Sequence, residues 1–249
     1  MRQVRLLASA GVGTLVLSLL ALFPARVALP VLGVPAGTAR GVTGTVWHGA
    51  AQRITVGGLA FGPLSWSVRP ARLFLGQLAA GIEATVPDGF VNATVGVSAG
   101  GTVAVRDLAA AAPLSWLAPA AGAAGGQLTA RFDQLTLTGG RVATAVGNLE
   151  LVGVVLPIPN APRLAPGSYA LTFAADKLGP DEPLTGALKD AGGPLEVAGK
   201  VIVTPPRSYE INGTAKARPE APADLRNALQ MLGPATPDGG HELSIAGSF

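Results

Sequence analysis

The chain has 249 residues, a formal charge of +3 and no cysteine, which excludes disulfides, Fe–S clusters and thiolate zinc sites. A sequence pI near 9.7 points at nucleic acid, but the charge distribution does not. Arg2, Arg5 and Arg26 account for the whole excess, and the fifteen remaining basic residues match the fifteen acidic ones. The bulk of the chain therefore lacks the clustered basic face that nucleic-acid binding needs.

Residues 6–25 read LLASAGVGTLVLSLLALFPA, with no charge between Arg5 and Arg26. Twenty helical residues span about 30 Å, the thickness of a hydrocarbon core. Arg2 and Arg5 precede the run, so residues 1–5 are expected in the cytoplasm and the rest of the chain across the membrane. The exit lacks a small-x-small cleavage site, which favours an uncleaved signal anchor over a removed signal peptide. Pro24, Pro30 and Pro35 predict the end of this helix and an extended linker over 26–40.

From residue 41 to 249 the pattern is that of strands. Trp47 sits in a Thr/Val run bounded by Gly44 and Gly49, and Leu64, Trp66 and Val68 alternate up to Pro70. Val91, Ala93, Val95 and Val97 alternate with Asn92, Thr94, Gly96 and Ser98, a half-buried strand. The stretch Asp107–Leu117 is Ala-rich, lacks β-branched residues and opens on an Asp suited to capping, which predicts a short helical crossover. Leu128, Ala130 and Phe132 share one parity and Leu135 and Leu137 the other, so a bulge or bend is expected at Asp133–Gln134. Arg141–Val155 is a long strand candidate, and four prolines between 157 and 166 make a loop. Further alternation runs through Tyr169–Phe173, Leu195–Val203 across Gly199, Tyr209–Ala215 and a final edge strand at Leu243–Ile245. Leu225, Ala228, Leu229 and Leu232 fall at i, i+3, i+4 and i+7, an amphipathic helix stopped by Gly233-Pro234. The fold class is thus mainly β: one transmembrane helix, then a large antiparallel β domain, curved or sandwich-like, with one or two short helices.

Chemistry-bearing residues are sparse. His48 and His241 have no third ligand nearby, no Ser sits in a Gly-x-Ser-x-Gly elbow, and no glycine pair has phosphate-loop context. No catalytic, cofactor or metal residue is assigned, and no enzyme is expected. Asn92-Ala93-Thr94 matches a glycosylation acceptor, a pattern cheap by chance. Trp47 and Trp66 follow the strand alternation and read as packing anchors, whereas Trp116 is open between packing and a partner-contact patch.

Several stretches together resemble a known family. Thr45–Ala51, with Trp47 and Gly49, and Gly62–Pro70, with Trp66, are similar to the opening of the type II secretion system protein N family, as is Leu73–Gly76. Pro113–Leu117, with Trp116, is similar to its central segment. Thr185–Gly199, with Gly193, Pro194, Leu195 and Gly199, and Tyr209–Gly213, Ala217–Pro222, Ala228–Gly233 (Leu229, Leu232, Gly233) and Asp238–Gly240 resemble its C-terminal part. The resemblance implies an accessory inner-membrane component of the pathway that exports folded proteins across the outer membrane. It implies a single span, a periplasmic domain, contacts with other secretion components of the inner membrane and periplasm, no cofactor and no enzymatic activity. A fold-level analogy to AsmA-like proteins, whose curved sheets make lipid-facing grooves, adds lipid or another apolar ligand as an alternative partner.

Overall fold

The computed structural model describes residues 18, 21–31, 35, 37–70, 76–117, 125–154, 167–205, 208–230 and 233–248. The expected span at 6–25 lies mostly outside them, as do Arg2, Arg5, Leu73–Leu75, Leu232 and the proline loop at 157–166. Among the described residues no helix is long and apolar enough to cross a membrane.

The first element corrects an expectation. Residues 25–31 do not extend but form a short helix, α1 (Ala25–Val31). Pro24 stands just before it, and its carbonyl accepts from the N–H groups of Val27 and Ala28 at 3.1 and 3.2 Å. Pro30 falls in the last turn, where its missing N–H costs one helical bond.

Sixteen strands follow among the described residues: β1 (Ala39–Arg40), β2 (Thr43–Gly44), β3 (His48–Ala51), β4 (Arg53–Val56), β5 (Leu59–Phe61), β6 (Leu64–Val68), β7 (Gln77–Val86), β8 (Gly89–Ser98), β9 (Val103–Pro113), β10 (Gln127–Thr138), β11 (Arg141–Val154), β12 (Gly167–Ala175), β13 (Leu184–Gly192), β14 (Leu195–Thr204), β15 (Ser208–Ala217) and β16 (His241–Ser248). Two more helices are α2 (Leu114–Leu117), after β9, and α3 (Ala223–Gln230), between β15 and β16. Strands β1, β4 and β5 make a small sheet. The other thirteen make one antiparallel sheet in the order β16-β15-β14-β13-β12-β11-β10-β9-β8-β7-β6-β3-β2.

The Ala-rich stretch 107–112 is therefore a strand and not a helical crossover; only Leu114–Leu117 turns helically. The reason is tertiary. β9 lies between two partners, with Ala110 opposite Val91 on one side and Ala130 on the other, and two ladders of backbone hydrogen bonds outweigh alanine's helix preference. Asp107 takes a positive φ of 51° in an irregularity opposite β8 and caps nothing. One strand over, the register of β10 with β11 shifts between Phe132 and Gln134, which is the bend that the change of parity predicts.

The pairing register sorts the side chains into two faces. One row runs Ala51, Leu64, Ala84, Val91, Ala110, Ala130, Leu149, Leu171, Leu188, Gly199, Gly213, Leu243, every member apolar or glycine. The row beside it on the other face runs Ala50, Ser65, Glu83, Asn92, Ala109, Arg131, Asn148, Thr172, Ala187, Lys200, Asn212, Ser244. A sandwich would bury the first face under a second sheet. Here both buried clusters of strand residues draw only on neighbouring strands and α3: Ala130, Phe132, Ala145 and Phe173 form one, Leu188, Val197, Val201, Ala215 and Leu229 the other. The sheet makes its core by curling. Cα atoms of β12 and β14 come within 8 Å across β13, where flat strands would stand about 9.5 Å apart.

Candidate functional site

The three tryptophans occupy two places. Trp66 on β6 lies against Gly49 on β3, its cross-strand partner; a Cβ at Gly49 would overlap the indole. The Trp66 Nε1–H donates to the Val46 carbonyl at 3.1 Å, and the Trp47 carbonyl accepts from the Val68 N–H at 2.6 Å. Gly49 and Trp66 thus form one packing unit at the β2–β3 edge, and the Trp47 backbone joins it to β6. The chain leaving the expected span arrives at this unit: Pro24 bridges to Thr45, and the Val46 N–H donates to the Phe23 carbonyl at 3.0 Å. Trp116 is elsewhere. It sits in α2, donates to the Ala60 carbonyl at 3.3 Å and meets Phe61 edge to face with ring centroids 5.2 Å apart. That contact ties the small sheet to the main one and gives Trp116 a packing role.

The aromatic-on-glycine device recurs along the apolar face. A Cβ on Gly186 would come 2.5 Å from the Phe173 ring, one on Gly147 2.7 Å from Phe132, and one on Gly247 2.6 Å from the Tyr209 hydroxyl. Rings laid over glycines of the adjacent strand cover the apolar side, with no second layer among the described residues. Phe132 and Phe173 also stack, with centroids 6.0 Å apart and planes 27° off parallel. Gly199 faces Gly213, and side chains there would meet the backbone of the adjacent strand.

The C-terminal motif residues assemble at one end of the sheet. Gly192 and Gly193 turn β13 into β14 with φ of 129° and 116°, values that favour glycine. The Pro194 carbonyl accepts from the Arg218 N–H at 2.9 Å, and the Arg218 guanidinium pairs with the Asp190 carboxylate. Leu195 packs with Ala221 and Leu225, and Leu229 reaches the cluster of Leu188 and Val197. Gly233 has a φ of 127°, and its carbonyl lies 2.9 Å from His241 Nδ1. Residues 190–195, 218–225 and 229 therefore clasp α3 onto the sheet. Burial pushes the Tyr169 phenol above its ordinary value, and the Asp190 charge adds to the shift.

Sequence reasoning named Gly193, Pro194 and Leu195 through the family resemblance and missed the Asp190–Arg218 pair, since 28 residues separate the partners. It also missed the Phe132–Phe173 stack, although shared parity with their apolar neighbours was a visible signal. His48 and His241 stand at opposite ends of the strand order, on β3 and β16. Among the described residues no group of three His, Cys, Asp or Glu side chains forms a metal-holding cluster. Two open cavities, of about 470 and 400 Å³, lie on the polar face of β6–β8 around Ser65, Glu83 and Asn92. What the described residues present is packing surface: an apolar face, a clasped end and a sheet edge.

The family model for the type II secretion system (T2SS), protein N, matches residues 35–244, from before the first strand into the last. The chain belongs to the type II secretion system protein N family. Two curated relatives carry that name. One, from Aeromonas hydrophila, is 27% identical over 231 residues, covering 89% of this chain and 88% of the relative. Another, from Vibrio cholerae serotype O1, is 29% identical over 228 residues, covering 87% and 86%. No solved structure matches the chain. The matched span holds the Trp66–Gly49 unit, the aromatic–glycine pairs up to Phe173–Gly186, and the clasp around α3. As a member of this family, the chain is a component of type II secretion.

Proposed function

We propose that the protein is a non-enzymatic accessory component of type II secretion, held at the inner membrane by residues 6–25. Residues 41–249 stand in the periplasm and contact other secretion components there. The family match over residues 35–244 carries this reading. The orientation rests on Arg2 and Arg5 ahead of an uncharged stretch and on the entry of Phe23 and Pro24 at the β2–β3 edge. Deleting the gene is expected to leave folded export substrates in the periplasm, and affinity capture of the full chain from membranes to recover secretion components. Unimpaired export together with capture of no secretion component would reject the assignment.

A second reading is favoured by one observation, the apolar face that no sheet covers among the described residues. It makes the β domain a groove for lipid or another apolar ligand, as in AsmA-like proteins. A photo-reactive side chain at Val95, on the apolar face, should then acquire lipid adducts in intact cells, while the same group at Thr94, on the polar face, should not. Equal labelling at both positions, or none, sinks this reading.

A further inference from the structure

The two edges of the large sheet are built differently. At one end β2 is two residues long, and the adjoining Thr45 and Val46 are taken up by Pro24 and Phe23. At the other end β16 is eight residues long and pairs on one side with β15. Its first residue, His241, is engaged by Ala235 and Gly233. From Glu242 to Ser248 no described strand covers the outer side, and about half of the backbone N–H and C=O groups there point away from β15. Natural sheets blunt such edges with proline, lysine, bulges or a covering element. This strand reads ELSIAGS, has no register shift against β15, and exposes Ile245 at 46%.

We propose that β16 is a pairing edge and that its partner is the β16 strand of a second copy of this chain. The free stretch is self-complementary about its own centre. An antiparallel pair of copies with the two-fold axis at Ile245 sets Ile245 against Ile245, Leu243 against Gly247, Ser244 against Ala246 and Glu242 against Ser248. No like charges oppose each other, and His241 stays clear of the pairing. Because opposed residues have the same parity, the apolar faces of both copies lie on one side of the joined sheet. The axis falls on the exposed large apolar side chain of the strand, and the contact is isologous and closed, so it ends at two copies.

The chain has no cysteine, which makes a single introduced thiol a clean probe. In native membranes, full-length Ile245→Cys should give a dimer with a short thiol cross-linker. Ile211→Cys is one strand inward in the same row, three strand spacings from its mate, and should not. Ile245→Lys, which sets like charges together on the axis, should abolish the dimer in cross-linking and in mass measurement of the purified full chain; Ile245→Val should keep it. The idea is overturned if wild type is monomeric, if Ile211→Cys cross-links as well, or if Ile245→Lys leaves the dimer intact. Cross-linking of Ile245→Cys to a different protein also overturns it. These readouts do not depend on export, so a failure here is separable from a failure of the secretion assignment.

Discussion

Strands β10–β16 and strands β3 and β6–β9 of the main sheet share one alternation and one continuous apolar face, yet fill it with different side chains. In β10–β16 the apolar side holds Phe132, Phe173, Tyr169 and Tyr209, and α3 lays Leu225 and Leu229 over its end. Both strand-built clusters of buried residues lie there. In β3 and β6–β9 Trp66 is the one aromatic ring on that face among the described residues, and its buried members are small: Ala51, Val68, Ala84, Val86 and Ala112. A single layer can bury its apolar side only by curling and by laying large rings across glycines, and the first region has the rings to do it. The second, beside the entry from the expected membrane span, leaves the same face lined by short aliphatic side chains that stay partly accessible. One region covers its apolar side with its own large side chains, while the other carries mainly small ones there.

The largest expected effect separates the two regions. Phe173 is 6% exposed, stacks on Phe132 and lies over Gly186, so Phe173→Ala should cost about 3–5 kcal/mol. All three tryptophans belong to residues 47–116. Tryptophan fluorescence therefore reports the β3–β9 region, while far-ultraviolet circular dichroism reports all strands. In a sheet whose strands touch mainly their sequence neighbours, stability is close to a sum of nearest-neighbour terms. Denaturation of the variant should split the probes, with the dichroism midpoint falling further than the fluorescence midpoint. Equal shifts would mean that the thirteen strands unfold as one unit and the division is only geometric.

A smaller change tests the division from the other side. Gly49→Val drives a branched side chain into the Trp66 indole and the Thr43 carbonyl, an overpacking worth about 1–3 kcal/mol. The fluorescence midpoint should fall and the emission move towards that of exposed indole, while the strands around Phe173 keep their stability. A variant that lowers both probes together would show that the Trp66 unit also supports β10–β16.

Much of this fold was legible. Period-two alternation marks β8 through Val91–Val97 and β14 through Leu195–Val203, because a half-covered strand must alternate. The parity change at Asp133 marks the bend of β10, and the i, i+3, i+4 spacing of Leu225, Ala228 and Leu229 marks α3. Ala109–Ala112 misled because alanine's local preference is helical, and only the two flanking ladders decide otherwise. Alternation also does not say what covers the apolar side, so a sandwich and a curled single sheet look alike until Phe173 is seen lying over Gly186. The candidate site divides the same way. Glycines needing positive φ, such as Gly193 and Gly233, stand out in sequence. The Asp190–Arg218 pair reaches across β14 from the end of β13 to the residue after β15, and no local pattern records that.

The subtlest test lies in the clasp, where α3 is held to the filled region. The Tyr169 phenol is raised above its ordinary value of 10.0, first by burial and then by the Asp190 carboxylate. A group whose acid form is favoured on folding adds stability that is fully present below the unfolded value, near pH 10. That stability is lost as pH climbs through the higher folded value. Wild type should therefore weaken from about pH 10 upward through this residue, in addition to the general alkaline loss shared by all variants. Tyr169→Phe keeps the ring and removes the titrating proton. At neutral pH its unfolding free energy should change by no more than about 1 kcal/mol, and above pH 10 it should fall less steeply than that of wild type. Identical alkaline slopes would mean that the phenolate reaches water without disturbing the clasp, and the end of the sheet around Asp190 and Arg218 would then be looser than its packing implies.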